Sequence, residues 1–320
     1  MDESTQKNLN LTSTYQIKKQ IYHSANSVVY RAVRAADNQA VILKILKENH
    51  PTSEELTRYR QEYEITSSLA NLDGVVNAYS IERYQNSLAM CLEDFGGDSL
   101  AILQSAGRSF TLDELLTFAI HITQILGQIH RRNIIHKDIN PSNIVMNPDT
   151  GDLKIIDFGI STRFSNQHPM MKHPDVLEGT LAYISPEQTG RMNRALDYRT
   201  DFYSLGATLY ELFTGTVPFA SKDAMELVHC HIAKHPVPPH EINADLPLAV
   251  SDIILKLLGK NAEARYQSVW GLETDLALCQ VALHEKGTVS PFTLAQKDIS
   301  DRFHIPQKLY GRDSEIETLR

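Results

Sequence analysis

Three short stretches decide the fold of this chain: HKDINPSN at residues 136–143, IIDFG at 155–159 and YISPE at 183–187. A single Asp-Phe-Gly triplet is a weak signal, because it can be a simple turn. The three stretches in this order and at this spacing argue strongly against a chance match. They have to be interpreted together, as parts of one site.

The sequence changes character on the two sides of this set. Between residues 15 and 95 the pattern is mostly strand-like, with one helical pattern at 53–69. After the two glycines at 96–97 long helical patterns prevail, and the one at 112–130 has an apolar face. The predicted fold class is therefore α+β, with a small antiparallel-sheet lobe that has one helix and a larger, mainly helical lobe. A cleft between two lobes is the natural place for a ligand.

The ordered set resembles the catalytic loop, the magnesium-binding loop and the end of the activation segment of eukaryotic-type Ser/Thr protein kinases. The resemblance covers about residues 15–280 and implies the bilobal protein kinase fold. It implies transfer of the γ-phosphate of ATP to Ser or Thr hydroxyls, with ATP and Mg²⁺ or Mn²⁺ as cofactors. In that reaction Asp138 would orient the substrate hydroxyl, while Asn143 and Asp157 would hold the metal through oxygen ligands. The alternative is a buried carboxylate pair that only serves turns.

A lysine within a strongly apolar strand is the next candidate. Lys44 lies in VILKIL at 41–46, and a lysine so placed needs an anionic partner if it is buried. By the resemblance, Lys44 binds the phosphates and Glu62 forms an ion pair with it. Glu62 is preferred to Glu64 because the apolar residues three and seven positions later then lie on the packed side. A solubilising charge on an edge strand is the alternative for Lys44.

The resemblance also implies an adenine pocket. Backbone groups of the segment LEDF at 92–95 would meet adenine, and Leu92 would close the back of the pocket. Val29 above and Val145 below would sandwich the base. For any single apolar residue here, plain core packing is an equal alternative. The full set of ATP-binding residues so predicted is Ile21, Tyr22, Ser24, Ser27, Val29, Ile42, Lys44, Glu62, Leu92, Glu93, Phe95, Asn140 and Val145.

The predicted ATP-binding loop departs from the family pattern. Kinases usually cover the triphosphate with a glycine-rich loop, but Tyr22, Ser24 and Ser27 occupy its three glycine positions. Because the backbone must approach phosphate closely there, Tyr22 should stiffen or lift the loop. Ile42 stands where a small residue lies above adenine, and Asn140 replaces a lysine two residues past the catalytic aspartate. We therefore expect a slow enzyme, and the rival hypothesis is a pseudokinase that senses nucleotide or acts as a scaffold.

The predicted activation segment, residues 157–187, is complete, which disfavours a kinase for small molecules. It has no Ser or Thr in its middle, where an activating phosphate is most often placed. Asp175 and Glu178 could instead supply fixed negative charge to Lys137. We therefore predict activation without phosphorylation of this segment, with Thr180 ordering the substrate site.

Matches of structural type extend across the large lobe. The stretch DFYSLG at 201–206 resembles the buried helix that anchors the catalytic loop. Arg265 resembles the arginine that pairs with Glu187. These residues are expected to support the site rather than to take part in the chemistry.

Two longer matches indicate a subfamily. TGRMNRALDYRT at 189–200 and KLYGRDSE at 308–315 resemble large bacterial hybrid kinases, in which an ATPase-like module, a sensory module and a histidine kinase follow the Ser/Thr kinase domain. The implied partners are protein substrates and these modules of the same polypeptide, acting in two-component signal transduction. The predicted divisions are a flexible arm at 1–14, the small lobe at 15–95, the large lobe at 96–284, a linker at 285–306, and an ATPase-like start or tail at 307–320.

Bulk composition excludes several functions. With 320 residues, 42% hydrophobic and 22% charged, the chain is an ordinary globular sequence, and its net charge of −8 gives no general attraction to nucleic acid or anionic membranes. The polar N-terminus is unlike a signal peptide, and no stretch reaches the ~18 apolar residues of a spanning helix, so we expect a cytoplasmic protein. The three cysteines are far apart and predict neither disulfides nor a zinc site.

Overall fold

The computed structural model describes residues 14–23, 27–47, 51–84, 86–163, 180–191 and 194–299. The small lobe is a five-stranded antiparallel sheet with the spatial order β1-β2-β3-β5-β4. One helix, α1 (Ser53–Ser68), lies between the third and fourth strands in the chain and packs on this sheet. The strands are β1 (Tyr15–His23), β2 (Ser27–Arg34), β3 (Gln39–Leu46), β4 (Ala78–Tyr84) and β5 (Ser87–Glu93).

Strand β3 shows how the apolar pattern of the sequence positions the lysine. Val41 and Leu43 are fully buried in a cluster with Tyr15. Because successive side chains of a strand point to opposite faces, Ile42 and Lys44 lie on the other face, where both are half-buried. The lysine thus faces helix α1 and the cleft.

Helix α1 begins at a capping box. The side chain of Thr52 accepts a hydrogen bond from the backbone N–H of Glu55, whose carboxylate accepts one from the backbone N–H of Thr52. Tyr59, Glu62 and Ile65 recur at intervals of three residues on its buried face. The Tyr59 hydroxyl donates to the backbone carbonyl of Lys44, which fixes the helix on β3 and sets the position of Glu62.

The large lobe is mainly helical, as the sequence predicts. Helix α3 buries an apolar face in the main core, and it lies so close to α8 that a Cβ on Gly127 would come within 2.9 Å of Val269. No helix among the described residues has the length and apolarity needed to cross a membrane. The helices are α2 (Leu100–Ser105), α3 (Leu112–Arg131), α4 (Arg199–Thr214), α5 (Ala224–Ala233), α6 (Pro239–Ile242), α7 (Leu248–Leu257) and α8 (Val269–Lys286).

Five short strands of the large lobe hold the two motif-bearing loops side by side. They are β6 (Asp98–Ser99), β7 (Ile134–Ile135), β8 (Ile144–Met146), β9 (Leu153–Ile155) and β10 (Thr162–Arg163). The first, third and fourth form an antiparallel sheet, and β7 pairs with β10. Residues 136–143 therefore run between β7 and β8, directly beside residues 156–161, which run between β9 and β10.

The described part of the predicted linker is a strap that packs on the large lobe rather than a free tether. Val289 is buried against the main core. The Asp298 carboxylate accepts hydrogen bonds of 2.8 Å from the backbone N–H groups of Gln267 and Ser268 at the start of α8. At Asp298 the polar side chain satisfies backbone donors, which composition alone does not distinguish from a polar residue of a linker.

Candidate active site

Lys44 lies between two carboxylates that come from different lobes. Its Nζ is 2.7 Å from Oε1 of Glu62 and 3.1 Å from Oδ1 of Asp157. Glu62 belongs to the buried face of α1, whereas Asp157 follows β9 of the large lobe. The structure therefore brings the predicted pair together and leaves the alternative residue, Glu64, exposed on the helix.

The charges of this cluster decide its protonation. Burial alone would lower the pKa of Lys44, but the carboxylates of Asp157 and Glu62 outweigh it and raise that pKa. Burial would raise the pKa of Asp157, yet the ammonium of Lys44 lowers it overall. For Glu62 burial dominates, and its pKa is raised despite Lys44. The lysine thus keeps its charge at neutral pH.

The loop that follows β7 is anchored by Asp201 of helix α4. The carboxylate accepts hydrogen bonds from the backbone N–H groups of His136 (2.9 Å) and Lys137 (2.7 Å), and it lies 2.7 Å from Nε2 of His130. Lys137 has a φ of 70°, which a residue with a side chain adopts only where surrounding contacts stabilise it. Burial would raise the pKa of Asp201, but the hydrogen bond with His130 is the leading cause of its being lowered. The helix predicted as an anchor thus contacts the loop.

Asp138 is oriented from two sides. Its Oδ2 accepts a hydrogen bond of 2.9 Å from the side-chain amide of Asn143, and its Oδ1 accepts one of 2.9 Å from the backbone N–H of Thr180. Both carboxylate oxygens are therefore held in fixed directions by donors. The sequence predicts that Thr180 orders the substrate site, and the backbone of this residue does contact the predicted catalytic aspartate.

Asn140 is buried and fully engaged in the loop. Its Nδ2 donates to the backbone carbonyl of Asp138 at 3.1 Å and to the hydroxyl of Thr180 at 3.3 Å. Its Oδ1 accepts a hydrogen bond of 2.9 Å from the backbone N–H of Ser142. The residue is only 2% exposed. Asn140, predicted as an ATP-binding residue, thus holds Thr180 and the loop. Its neutral amide does not supply the positive charge of the lysine that it replaces.

The two predicted metal ligands lie on neighbouring segments. The backbone N–H of Ile156 donates to the carbonyl of Asn143 at 2.9 Å, which places Asp157 next to that residue. Asp157 has a φ of 65°, and its Oδ1 accepts from Lys44 and from the N–H of Gly159. These hydrogen bonds use one carboxylate oxygen of Asp157 and the amide nitrogen of Asn143. The other carboxylate oxygen and the amide oxygen are the hard donors that suit Mg²⁺, so the residues fit this ion.

Two carboxylates of the segment between the lobes are bound by cationic side chains that the sequence does not point to. Glu93 accepts a hydrogen bond of 2.6 Å from Nζ of Lys154, and Asp94 forms an ion pair of 2.8 Å with Arg31 of β2. Each carboxylate thus binds a cation from one of the two lobes. Phe95 lies beneath Lys154, whose Nζ is 5.1 Å from the centre of its ring.

The apolar residues predicted around adenine lie on strands of both lobes. Leu92 of β5 is paired with Ile42 of β3. Val145 of β8 packs so tightly on Gly97 that a Cβ there would come within 2.6 Å of it. Val29 of β2 is opposite Lys44 in the sheet. The side chain of Ile42 therefore lies next to that of Leu92 in the sheet.

Where it is described, the predicted phosphate loop is a strand pair whose register is irregular between Gln20 and Tyr22. Tyr22 lies on β1 opposite Val29, with 56% of its surface exposed, and Ile21 precedes it in the same strand. Ser27 is buried at the start of β2, opposite Leu46. Ser24 lies outside the described residues. So do Asp175 and Glu178, the predicted partners of Lys137.

The pair expected between the end of the activation segment and the large lobe is present. The two terminal nitrogens of the Arg265 guanidinium group contact the carboxylate of Glu187, and the Thr200 hydroxyl donates to the same carboxylate at 2.9 Å. Gln188, which no sequence motif singled out, donates to the backbone carbonyl of Lys137 at 2.8 Å. This contact joins the end of the segment to the loop that carries Asp138.

The chain matches a known family over most of its length. The model of the protein kinase domain family covers residues 15–275. A probable serine/threonine-protein kinase of Clostridium acetobutylicum is 32% identical over 259 residues, which are 81% of this chain and 38% of the relative. The serine/threonine-protein kinase PrkC of Bacillus subtilis is 28% identical over 267 residues, 83% of this chain and 40% of the relative.

A relative of different organisation also matches. The hybrid signal transduction histidine kinase G of Dictyostelium discoideum is 28% identical over 294 residues, which cover 65% of this chain and 9% of that protein. The chain thus spans well under half the length of these curated relatives. The bilobal fold and the kinase resemblance predicted from the sequence are confirmed.

Proposed function

The chain belongs to the protein kinase family, and on that premise we propose that it transfers the γ-phosphate of ATP to Ser and Thr hydroxyls of other proteins. The observation that carries the proposal is the pair of assembled groups in the cleft. Lys44 is charged and fixed by Glu62 and Asp157. Asp138 is held by two hydrogen-bond donors at 2.9 Å, one on each carboxylate oxygen.

These groups match what phosphoryl transfer requires. The reaction needs positioning and neutralisation of charge more than covalent participation by the protein. Lys44 supplies a fixed positive charge on the small-lobe side of the cleft. Asp138, on the large-lobe side, offers its carboxylate to the incoming hydroxyl in a set orientation. Because Lys44 contacts Asp157 across the cleft, the groups supplied by the two lobes already lie next to each other.

Asn143 and Asp157 would hold the magnesium ion. When bound, that ion neutralises negative charge on the phosphates. No group of three or more His, Cys, Asp or Glu side chains suited to a metal is found among the described residues. Mg²⁺ usually binds through one or two carboxylates together with substrate phosphates and water. We therefore expect metal binding to depend on nucleotide.

The second candidate function is a pseudokinase that binds nucleotide or a partner without transfer. Two observations favour it. Asn140 replaces the usual lysine and has its amide engaged within the loop. Tyr22 extends strand β1 through the region where a flexible glycine loop is expected. We favour slow catalysis because Lys44 and Asp138 keep the arrangement that transfer needs.

We also propose that this kinase domain acts within a larger signalling protein. The hybrid kinase named above is a signal transduction histidine kinase, of which this chain matches 9%. The stretches 189–200 and 308–315 support the same organisation. The partners would then be protein substrates, and ATPase-like, sensory and histidine kinase modules of the same polypeptide.

Radiolabelled ATP separates transfer from binding. The purified chain is incubated with Mg²⁺ and generic basic proteins, beside Asp138→Asn and a matched control, Asp149→Asn. Asp149 is exposed in the turn that follows β8. We expect the wild-type chain to incorporate phosphate into Ser and Thr. Asp138→Asn should lose this incorporation, and Asp149→Asn should keep it. Equal incorporation by all three proteins would refute the enzymatic proposal, and thermal stabilisation by ATP without incorporation would favour the pseudokinase.

A further inference from the structure

Arg31 of strand β2 contacts groups on both sides of the junction between the lobes. Its Nη2 donates a hydrogen bond of 2.8 Å to the backbone carbonyl of Gly97 in the large lobe and lies 3.9 Å from Oδ1 of Asp98. Its Nε lies 2.8 Å from Oδ2 of Asp94, in an ion pair rather than an aligned hydrogen bond. No sequence motif singles out Arg31, and the proposed chemistry does not use it.

The register of the sheet places Arg31 on the cleft face of the small lobe. Arg31 is opposite Ile42 of β3, as Val29 is opposite Lys44. Because residues directly opposite each other in a sheet share a face, Arg31 and Val29 lie on the same side as Lys44. Val29, predicted to lie above adenine, is two positions before Arg31 on the same strand. The guanidinium group is thus attached to the strand on the upper side of the predicted adenine pocket.

The carbonyl that Arg31 binds lies beside the lower side of the same pocket. A Cβ on Gly97 would come within 2.6 Å of the side chain of Val145, the residue predicted below adenine, and within 2.9 Å of the ring of Phe95. Since there is no room for even one more carbon atom, Gly97 cannot shift toward either neighbour. The hydrogen bond from Arg31 therefore joins the strand of Val29 to a fixed point next to Val145.

The turn that presents this carbonyl is shaped by Asp94. Its Oδ1 accepts a hydrogen bond of 3.0 Å from the backbone N–H of Gly96, while its Oδ2 faces Arg31. Gly96 has a φ of 79°, which glycine adopts without steric cost. Asn147 of the large lobe donates from Nδ2 to the backbone carbonyl of Phe95 at 2.6 Å. The ion pair thus joins Arg31 to a turn whose shape is fixed by two further contacts.

We propose that Arg31 is a positioning residue for the adenine base, which sets the distance between Val29 and Val145 by tying β2 to the large lobe. A planar base contacts both apolar side chains closely only where their separation matches its thickness, and a gap that is fixed before binding avoids the cost of ordering it. The inference rests on the proposed binding of ATP. Because Arg31 contacts protein groups and not phosphates, its effect should be the same for every ligand that carries adenine.

Calorimetric titration of the full chain with adenosine, ADP and ATP tests this role. Arg31→Met keeps the unbranched stem and removes the guanidinium group. We expect all three affinities to fall by the same factor, about tenfold, as the loss of a hydrogen bond from a charged group does, and the defect to appear in KM for ATP rather than in kcat. The control Arg34→Met removes an arginine of the same strand that binds Asp37 in the adjoining turn, and it should match wild type. Unchanged affinities would overturn the proposal, as would a loss that grows from adenosine to ATP, since the latter would mean that only the positive charge matters.

Asp94→Asn tests the same link with a side chain of similar size. It removes the negative charge that faces Arg31, while its amide oxygen can still accept from the N–H of Gly96. We expect weaker binding of all three ligands, and the double variant with Arg31→Met should lose little more than Arg31→Met alone, as coupled residues do. Wild-type binding by Asp94→Asn would overturn the proposal even if Arg31→Met does not fold, and so would additive losses. A wild-type chain that binds these ligands without transferring phosphate would count against the proposed transfer alone, whereas one that binds none of them would overturn both proposals.

Discussion

Arg265 and Glu187 form a bidentate ion pair inside the large lobe. Nη1 and Nη2 of the arginine lie 2.6 and 2.8 Å from Oε1 and Oε2 of the glutamate, and the two side chains are 0% and 5% exposed. The pair ties the end of the activation segment to the turn before α8. Because both charges are removed from water, taking away one partner leaves the other buried and unpaired.

Replacing Glu187 by Gln should therefore destabilise the domain by about 3–5 kcal/mol, measured as the free energy of unfolding in urea. Arg194 and Glu263 provide the matched control, because they form a pair of 2.5 Å whose side chains are 26% and 46% exposed. Arg194→Ala should cost at most about 1 kcal/mol. Similar losses in both variants would mean that burial is not what makes the inner pair important.

The same pair predicts a dependence of stability on pH. Burial would raise the pKa of Glu187, but Arg265 outweighs it and the pKa is lowered. A carboxyl group whose pKa is lower in the folded state contributes stability above its unfolded value, about 4.3, and this contribution is lost as the pH falls through the folded value. The unfolding free energy of Glu187→Gln, measured from pH 7 to 3, should fall less steeply than that of wild type. If the unfolding free energies of the two proteins fell in parallel with pH, the lowered pKa of Glu187 would be contradicted.

The motifs identified the residues whose roles depend on local sequence, and these account for most of the site. Lys44, Glu62 and Asp157 meet as expected, and Asp201 reaches the catalytic loop. A contact could not be predicted where one partner stands in no recognisable motif. Lys154, which binds Glu93, is such a partner.

The strap at the end of the domain shows a second limit of the sequence. Proline and polar residues after 287 suggest a linker, yet Asp298 binds backbone N–H groups at the start of α8. A polar residue that satisfies backbone donors and one that is merely solvated look alike in composition. Only the position of its partner separates them, and that is a property of the folded chain.

Glu62 should matter for catalysis, whereas its neighbour Glu64 should not. Glu62→Gln removes the charge that holds Lys44 at 2.7 Å from the helix, so the lysine is left with Asp157 alone. We expect kcat/KM for ATP to fall by about tenfold or more, since a charge aimed at the phosphates would be misplaced. Glu64→Gln, on the exposed side of α1, should match wild type. Equal effects would mean that the pair seen here is not the functional one.

Asn140 is expected to support Asp138 through Thr180. Asn140→Ala removes the donor to the Thr180 hydroxyl and leaves the N–H of Ser142 without its acceptor. A buried hydrogen bond contributes about 1 kcal/mol, so kcat should fall severalfold while the affinity for ATP stays unchanged. Thr180→Val removes the same hydroxyl and should add little to the effect in the double variant. Independent, additive losses would show that the two side chains are not coupled.

Tyr22 tests whether the atypical ATP-binding loop limits the rate. The residue is 56% exposed and is paired with Val29 of β2, next to an irregularity in the register of β1. Because a side chain restricts the backbone more than glycine does, Tyr22 should stiffen this hairpin. Tyr22→Gly should raise kcat/KM for ATP, because the backbone can then move toward the phosphates. Lys19→Gly, at another exposed position of β1, controls for the weakening of the strand that any glycine causes. A gain in both variants would reflect general loosening of the sheet, and a gain in neither would place the limit elsewhere, with Asn140 as the next residue to examine.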